Sequence, residues 1–137
     1  GVAGTIGYHY NGEIYNRDNN TSFGNSYAQG DIIGVAMDLT NGYVYFSKNG
    51  SFQNSGVPTS GATGTGGISI GGTTGSNYFF GLSINASGYH GEANFGQGYF
   101  GTTAVASAGT APSEGGIFEY DCPSGYQALC TKGINSF

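Results

Sequence analysis

The segment from residue 30 to residue 50, GDIIGVAMDLTNGYVYFSKNG, alternates apolar and polar side chains almost one for one and contains two Asn-Gly pairs. A period of two is typical of a strand that buries one face. Asn and Gly both tolerate the positive φ angles of a tight hairpin turn. The segment therefore predicts an antiparallel hairpin that reverses at Asn41-Gly42 and whose second strand ends at Asn49-Gly50.

A two-residue turn at Asn41-Gly42 would also set the register of this hairpin, because it places Thr40 opposite Tyr43. Directly opposed residues of an antiparallel pair share a face of the sheet. The register predicts that Asp38 and Tyr45 point outward. It predicts an inner face made of four apolar side chains: Met37, Leu39, Val44 and Phe46.

The rest of the chain shows the same kind of pattern more weakly. Strand-like alternation recurs in four stretches: 7–16, 77–85, 90–100 and 117–130, the first with a turn at Asn11-Gly12 and the last with a Pro-Ser-Gly turn. Three stretches are typical of loops or linkers: 19–26, 55–67 and 102–116. No segment has a sustained helical period. Many short strands separated by Gly-rich turns predict an all-β, antiparallel β-sandwich.

Composition narrows the classes of function open to the chain. Charged residues make up 8% of its 137 residues, against roughly a quarter in typical soluble domains. Its 3 basic residues, Arg17, Lys48 and Lys132, are too few for the clustered phosphate contacts of nucleic-acid binding. No apolar run approaches the ~20 residues of a membrane helix. The surface must consist of Asn, Ser, Thr, Gly and Tyr, which suits a particle surface or an extracellular binder.

Four short motifs together resemble the SPRY domain family. They are G-D-x-I-G at 30–34, the hairpin pair Asp38-Leu39, F-x-K-N-G at 46–50 and N-F-G-Q-x-x-F at 94–100. The resemblance implies a concanavalin A-like jelly roll of two antiparallel sheets. It predicts two parts of the chain: a SPRY-like β-sandwich over 1–100, and a C-terminal linker and strand-turn segment over 101–137 that packs on the sandwich or on a neighbouring chain.

The sequence departs from the family pattern in two places. Tyr99 stands where the family often has Pro, and the Trp-marked strands with which SPRY domains normally begin are not found in this sequence, which starts at Gly1 and contains no Trp. We therefore expect a sandwich that lacks the family's N-terminal strands, either because the parent polypeptide is longer or because a neighbouring chain supplies the edge. Since an unpaired sheet edge is an association site, we expect a multimer or a fragment.

The C-terminal stretch is similar to a segment found after SPRY-like units in bacteriophage virion proteins. The elements that carry this similarity are FEYD at 118–121, PSGY at 123–126 and ALCTK at 128–132. The resemblance implies a non-enzymatic component of a phage capsid, tail or fibre, exposed on the virion surface. Its partners would be other virion proteins, copies of itself, or a host-surface glycan or protein, with no cofactor, nucleic acid or membrane insertion. A cellular SPRY-type interaction module in the cytoplasm is the alternative.

Tyrosines near loops or strand ends are the candidate contact residues, since such rings provide large contact area at low entropic cost. The candidates are Tyr15, Tyr27, Tyr89 and Tyr99. Each of them could equally belong to the core.

The two cysteines leave their chemical state open. Cys122 and Cys130 flank a turn, at a spacing that would suit a disulfide loop, and two buried thiols are the other state. With only His9 and His90 elsewhere, no zinc spacing is present. Oxygen-rich residues at 16–20 could hold calcium, although the EF-hand pattern is absent.

A carbohydrate-active enzyme is the third class to consider, because glycoside hydrolases also use sandwiches of this kind. They need two carboxylates across a sugar cleft. Glu119 and Asp121 would share one face of a strand, yet a solvated strand edge is the simpler interpretation of that spacing. No Ser lies in a G-x-S-x-G elbow, so no catalytic residue is predicted.

Overall fold

Every pair of strands in the described part of the chain is antiparallel, so the predicted all-β, antiparallel class is confirmed. A computed structural model describes residues 5–16, 19–71, 77–84, 87–112 and 115–129. The chain divides into two compact units, 1–74 and 75–137. Within the described ranges, no helix has the length and apolar character needed to cross a membrane.

The first sheet of the first unit contains three strands in the order β1-β2-β3. They are β1 (Ile6–Tyr8), β2 (Glu13–Asn16) and β3 (Asn19–Ser22). Ile14 and Tyr8 lie directly opposite each other and are buried, whereas Tyr15 is exposed, as a half-buried sheet requires. The Asn11-Gly12 turn between β1 and β2 is confirmed: the Gly12 N–H donates to the His9 carbonyl oxygen at 3.0 Å.

The loop predicted over 19–26 is wrong for its first four residues, which form β3. All four of their side chains are exposed, so no apolar periodicity marks the strand. The ladder to β2 holds it in place, with Asn20 opposite Tyr15. Strand β3 is therefore stabilised by backbone hydrogen bonds, and its side-chain pattern could not predict it.

The second sheet contains β4 (Ile33–Asp38), β5 (Tyr43–Lys48), β6 (Ser51–Phe52) and β7 (Ile68–Ser69). Its centre is β5, which pairs with each of the other three. The β5–β6 turn is the two-residue Asn49-Gly50 turn, with φ angles of 48° and 82°. Positive φ at both positions is the type I′ geometry that suits a two-residue hairpin.

The predicted two-residue turn at Asn41-Gly42 is wrong. Asp38 pairs with Tyr43, so the turn spans residues 39–42 and the register differs from the predicted one by two residues. The Asp38 side chain causes this longer turn: its carboxylate accepts the Asn41 backbone N–H at 2.9 Å and the Asn41 side-chain N–H at 2.7 Å. Gly42 closes the turn with a φ of 78°.

The corrected register changes the predicted inner face in part. A shift of two residues preserves the face of each side chain, so Met37 still lies with Val44 and Phe46. Leu39, however, falls in the turn and is 52% exposed. The predicted outward position of Tyr45 is also wrong, since this ring is 0% exposed.

Tyr45 is buried because the segment 55–67, predicted as a flexible connection, folds over it. This segment contains a 3₁₀ helix at Pro58–Thr63. The Tyr45 hydroxyl lies 3.4 Å from the Ser60 hydroxyl, and a Cβ placed on Gly67 would lie 2.7 Å from the Tyr45 ring. Both faces of β5 are therefore covered.

Aromatic contacts join the two sheets of the first unit. The Tyr8 ring on β1 lies 5.6 Å from the Phe46 ring on β5 and 5.6 Å from the Phe23 ring. Phe23 and Phe46 meet edge to face at 6.1 Å. Such pairs contribute about 0.5–1.5 kcal/mol each beyond their buried area. This cluster is the core of the first unit.

The second unit contains less regular structure than the sequence predicts. Its strands are β8 (Tyr99–Phe100) and β9 (Thr103–Ala104), the latter inside the predicted linker. The strand predicted over 77–85 is absent from its described residues, 77–84. Of the strand predicted over 90–100, only Tyr99–Phe100 forms, and the strand predicted at the start of 117–130 is reduced to a single bridge between Ile117 and Gln97. The Pro-Ser-Gly turn is confirmed, with the Tyr126 N–H donating to the Pro123 carbonyl oxygen at 3.1 Å.

Candidate functional site

Three rings, the half-buried His9 and the exposed Tyr10 and Tyr15, are in contact beside the β1–β2 turn, and we call this cluster the aromatic platform. The His9 ring lies 4.5 Å from the Tyr10 ring and 4.9 Å from the Tyr15 ring. Tyr10 is 61% exposed and Tyr15 is 39% exposed. Gly7 lies opposite Tyr15 on β1, and no atom occupies the space within 4 Å of where its Cβ would be. The platform is therefore open to solvent on this side.

The polar rim of the platform is fixed by hydrogen bonds within the β1–β2 turn. The side-chain oxygen of Asn11, Oδ1, accepts the Glu13 backbone N–H at 3.1 Å and lies 3.0 Å from the His9 Nδ1. The Asn11 Nδ2 donates to the Glu13 carboxylate at 2.9 Å. Ordering of this kind before binding lowers the entropic cost of forming a complex.

The turn itself is anchored to the chain behind it. The Gly12 carbonyl oxygen accepts the N–H groups of Phe23 and Gly24, each at 3.0 Å. Gly12 has a φ of 89°, and a Cβ at this position would lie 2.4 Å from the Gly24 carbonyl oxygen. Only glycine allows this approach, so any other residue at position 12 would push the β1–β2 turn away from the Gly24 backbone.

A second polar cluster, which we call the latch, consists of Asp31 from the G-D-x-I-G motif and of Lys48 and Asn49 from the F-x-K-N-G motif. Lys48 Nζ lies 3.1 Å from the Asp31 carboxylate and donates to the Ser26 carbonyl oxygen at 2.8 Å. Asn49 Nδ2 donates to the other Asp31 oxygen at 2.6 Å. The latch therefore connects the G-D-x-I-G and F-x-K-N-G motifs through direct side-chain contacts.

The model of the SPRY domain family matches residues 2–97 of the chain. The chain belongs to the SPRY domain family. No curated protein and no solved structure matches the chain. SPRY domains are generally modules that bind other proteins rather than enzymes. The SPRY match includes the aromatic platform and the latch, and it continues beyond the first compact unit into the second.

The four tyrosines predicted as contact residues have different surroundings. Tyr15 belongs to the platform. Tyr27 is half-buried, its hydroxyl donates to the Tyr8 carbonyl oxygen at 2.9 Å, and burial raises its pKa. It therefore holds the loop after β3 in place. Tyr89 and Tyr99 lie in the second unit and are 66% and 49% exposed. A contact role for any of the four stays a prediction.

His9 and Tyr10 were not among the predicted contact residues. The sequence HYNGE at 9–13 could have indicated them, because a turn at Asn11-Gly12 brings the residues on both sides of it to the same end of the sheet. What the sequence could not show is that the His9 ring would contact both of the other rings.

The two carboxylates considered for an enzyme lie outside the SPRY match and bind backbone groups. Glu119 accepts the Ala106 N–H at 2.6 Å, and Asp121 accepts the Thr110 N–H at 2.6 Å. The bond from the Thr110 backbone lowers the pKa of Asp121. Asp121 is exposed and Glu119 is half-buried, and through these bonds both tie the 106–110 backbone to the C-terminal segment.

Cys122 is half-buried, burial raises its pKa, and its thiol donates to the Tyr126 carbonyl oxygen at 3.8 Å. Cys130 lies outside the described residues, so the disulfide stays a prediction. Arg17 and Asp18, in the stretch considered for calcium, also lie outside them. Among the residues that the structure describes, no three His, Cys, Asp or Glu side chains are grouped to hold a metal ion.

Proposed function

We propose that this SPRY domain is a protein-binding module and that the aromatic platform is its contact surface. The observation that carries the proposal is the contact of the His9 ring with both exposed tyrosine rings, Tyr10 and Tyr15, on an anchored turn. Tyrosine is enriched at interfaces and among the residues that contribute most binding energy. A surface of ordered rings offers large contact area at a small cost in side-chain entropy.

We also propose where this module acts, namely on the surface of a bacteriophage particle. The similarity of the C-terminal segment to phage virion proteins and the sparsely charged surface support a place on the outside of a virion, in the capsid, tail or fibre. The partner would be a neighbouring virion chain, another copy, or a host-surface protein or glycan. A cytoplasmic SPRY interaction module fits the SPRY match equally well.

The state of the cysteines separates these two settings, because disulfides are rare in the cytosol and common in extracellular proteins. We propose to measure the intact mass of the native chain with and without reductant. A gain of two hydrogen masses on reduction, from a bridge between Cys122 and Cys130, would favour the virion. Two free thiols in the native protein would favour the cytoplasmic setting.

Selection from a displayed library of random peptides tests the platform itself. We expect peptides that bind the full chain to lose at least about ten-fold in affinity when Tyr15→Ala removes one exposed ring of the platform. Tyr120→Ala is the matched control, since Tyr120 is 38% exposed and lies in the second unit. Selected peptides that bind the Tyr15→Ala variant as tightly as the unchanged chain would refute the platform as the contact surface.

A further inference from the structure

The charge of the aromatic platform indicates which partner chemistry it can accept. The chain has 8 acidic and 3 basic residues, for a net charge of −5. Lys48, the single Lys or Arg in the described ranges, already lies 3.1 Å from Asp31 in the latch. Glu13, on the rim of the platform, makes no ion pair with a described residue, and only one of its carboxylate oxygens has a hydrogen-bond partner there, Asn11.

Glu13 and Tyr15 lie on the same face of β2. They are two residues apart, a separation of about 6.6 Å along a strand. The exposed face of a tyrosine ring carries negative partial charge and attracts a cation placed over it. A guanidinium or ammonium group above Tyr15 would therefore be close to the Glu13 carboxylate oxygen that has no partner among the described residues. One cation could make both contacts.

We propose that the platform recognises a basic side chain, arginine or lysine, of its partner protein, with the cation over Tyr15 and paired with Glu13. This inference rests on the proposed function, since it names the partner chemistry of the same surface. Arginine fits better than lysine because its planar guanidinium can stack on a ring and bond a carboxylate at once.

The carboxylate decides against the other partner chemistries. A purely apolar partner would remove water from Glu13 without providing a cation, and an unpaired buried charge is strongly unfavourable. An acidic partner would be repelled by the Glu13 carboxylate and by the net charge of −5 on the chain. A basic side chain is the partner group that compensates the carboxylate while keeping the ring contact.

Titration with two small probes tests this inference directly on the full chain. The probes are N-acetyl-arginine methylamide and N-acetyl-citrulline methylamide, which have nearly the same shape and differ in charge. Binding is followed by the NMR signals of the tyrosine rings. We expect the arginine probe to shift the Tyr15 signals, and the citrulline probe to bind at least about five-fold more weakly.

Two charge-neutralising variants identify the carboxylate. Glu13→Gln should weaken the arginine probe at least about five-fold and should leave the citrulline probe unchanged. Glu92→Gln is the matched control, because it removes the same charge from an exposed residue of the second unit and should leave both probes unchanged. Equal binding of the two probes, or an equal effect of the two variants, would overturn the inference.

The library peptides distinguish failure of this inference from failure of the proposed function. Peptides that depend on Tyr15 and keep their affinity when each arginine becomes citrulline and each lysine is acetylated would overturn the cation inference and leave the binding module intact. If the affinity of no selected peptide depends on Tyr15, the proposed function is wrong. If, in addition, the arginine probe does not shift the Tyr15 signals, the cation inference is wrong as well.

Discussion

Asp31 and Asn49 are joined by a side-chain hydrogen bond of 2.6 Å, although 18 residues separate them in the sequence. Asn49 also accepts the Ile32 backbone N–H through its Oδ1 at 2.8 Å while its own φ is 48°. Asp31 in turn accepts the Ala28 N–H at 2.9 Å. The same asparagine therefore forms the β5–β6 turn and fixes the start of β4, so the two motifs act as one structural unit.

Neutralising Asp31 should change how stability depends on pH. The pKa of Asp31 is lowered, first by the Ala28 N–H and then by Asn49 and Lys48. A carboxyl whose folded pKa lies below its unfolded value of about 3.9 stabilises the fold above that value. This stabilisation is lost as the pH falls through the folded pKa. We predict that Asp31→Asn lowers the melting temperature at neutral pH and reduces its further fall below about pH 4.

Thermal unfolding followed by circular dichroism at a series of pH values measures this effect. Glu92→Gln, which changes an exposed carboxylate in the second unit, is the control. Curves of melting temperature against pH that run parallel for Asp31→Asn and the unchanged chain would show that the latch carboxylate makes no difference to stability.

Gly34 and Ser47 face each other across β4 and β5, and the space between them is filled. A Cβ on Gly34 would lie 2.4 Å from the Ser47 Oγ and 3.8 Å from the Ser47 Cβ. Ser47 is 7% exposed, so its hydroxyl has little room to move. We predict that Gly34→Ala lowers the free energy of unfolding by about 1–2 kcal/mol.

Adding Ser47→Ala to Gly34→Ala should recover most of that loss, because only the hydroxyl oxygen is too close. The coupling between the two substitutions should be about 1 kcal/mol in urea unfolding. Gly7→Ala is the control, since a Cβ there has no atom within 4 Å. Additive effects of Gly34→Ala and Ser47→Ala would show that the crowding is absent in solution.

The β4–β5 hairpin shows what periodicity could and could not predict. Alternation placed Met37, Val44 and Phe46 on one face, and they lie there. The turn length was wrong because the Asn-Gly rule considers only backbone φ, whereas the Asp38 carboxylate binds two N–H groups of Asn41 and stabilises a longer turn. Leu39 lost its predicted burial for that reason.

Tyr45 and the aromatic platform show a second limit. Periodicity indicates that one face of a strand is buried, but only the fold decides whether a loop covers the other face. The Gly-rich segment 55–67 does so for Tyr45. In the same way, the sequence left open whether Tyr15 is exposed or belongs to the core, and its contact with His9 depends on the conformation of the β1–β2 turn.

Gln53 holds the loop after β3 through a buried amide. It is 6% exposed, its Oε1 accepts the Asn25 backbone N–H at 2.8 Å, and its Nε2 donates to the Ser51 carbonyl oxygen at 2.8 Å. We predict that Gln53→Ala lowers the free energy of unfolding by about 2–3 kcal/mol, because two backbone groups lose their partner and a small cavity forms. Urea unfolding measures the change.

Gln29→Ala provides the comparison, because Gln29 is exposed and its truncation should change stability by less than about 0.5 kcal/mol. Equal, small effects of the two substitutions would mean that water replaces the Gln53 amide without loss.

Residues 79–84, FFGLSI, provide a surface on which two copies of the chain could pair. Phe79 is 88% exposed and Leu82 is 64% exposed. The stretch carries no charge, and its backbone makes no hydrogen bond to another described residue. Gly81 has no positive φ, so a strand conformation is accessible. An unpaired, uncharged apolar segment is a template for strand addition.

A second copy is the partner that suits this segment, because a two-fold axis perpendicular to an antiparallel pair keeps equivalent residues on one face. Phe80, Leu82 and Ile84 of both copies would then form a single apolar face. We predict that sedimentation velocity, measured over about two decades of protein concentration, shows a monomer that converts to a dimer as the concentration rises. Leu82→Lys should raise its dissociation constant at least about thirty-fold, because a charge enters that face twice.

Leu129→Lys is the matched control for this prediction, since Leu129 is 53% exposed in the same unit and lies outside the segment. It should leave the dimer unchanged. Hydrogen exchange adds a local readout: the amides of 79–84 should be protected only at concentrations where the dimer forms. A monomer at every concentration, a dimer that Leu82→Lys leaves intact, or protection of these amides in the monomer would each rule out pairing through this segment.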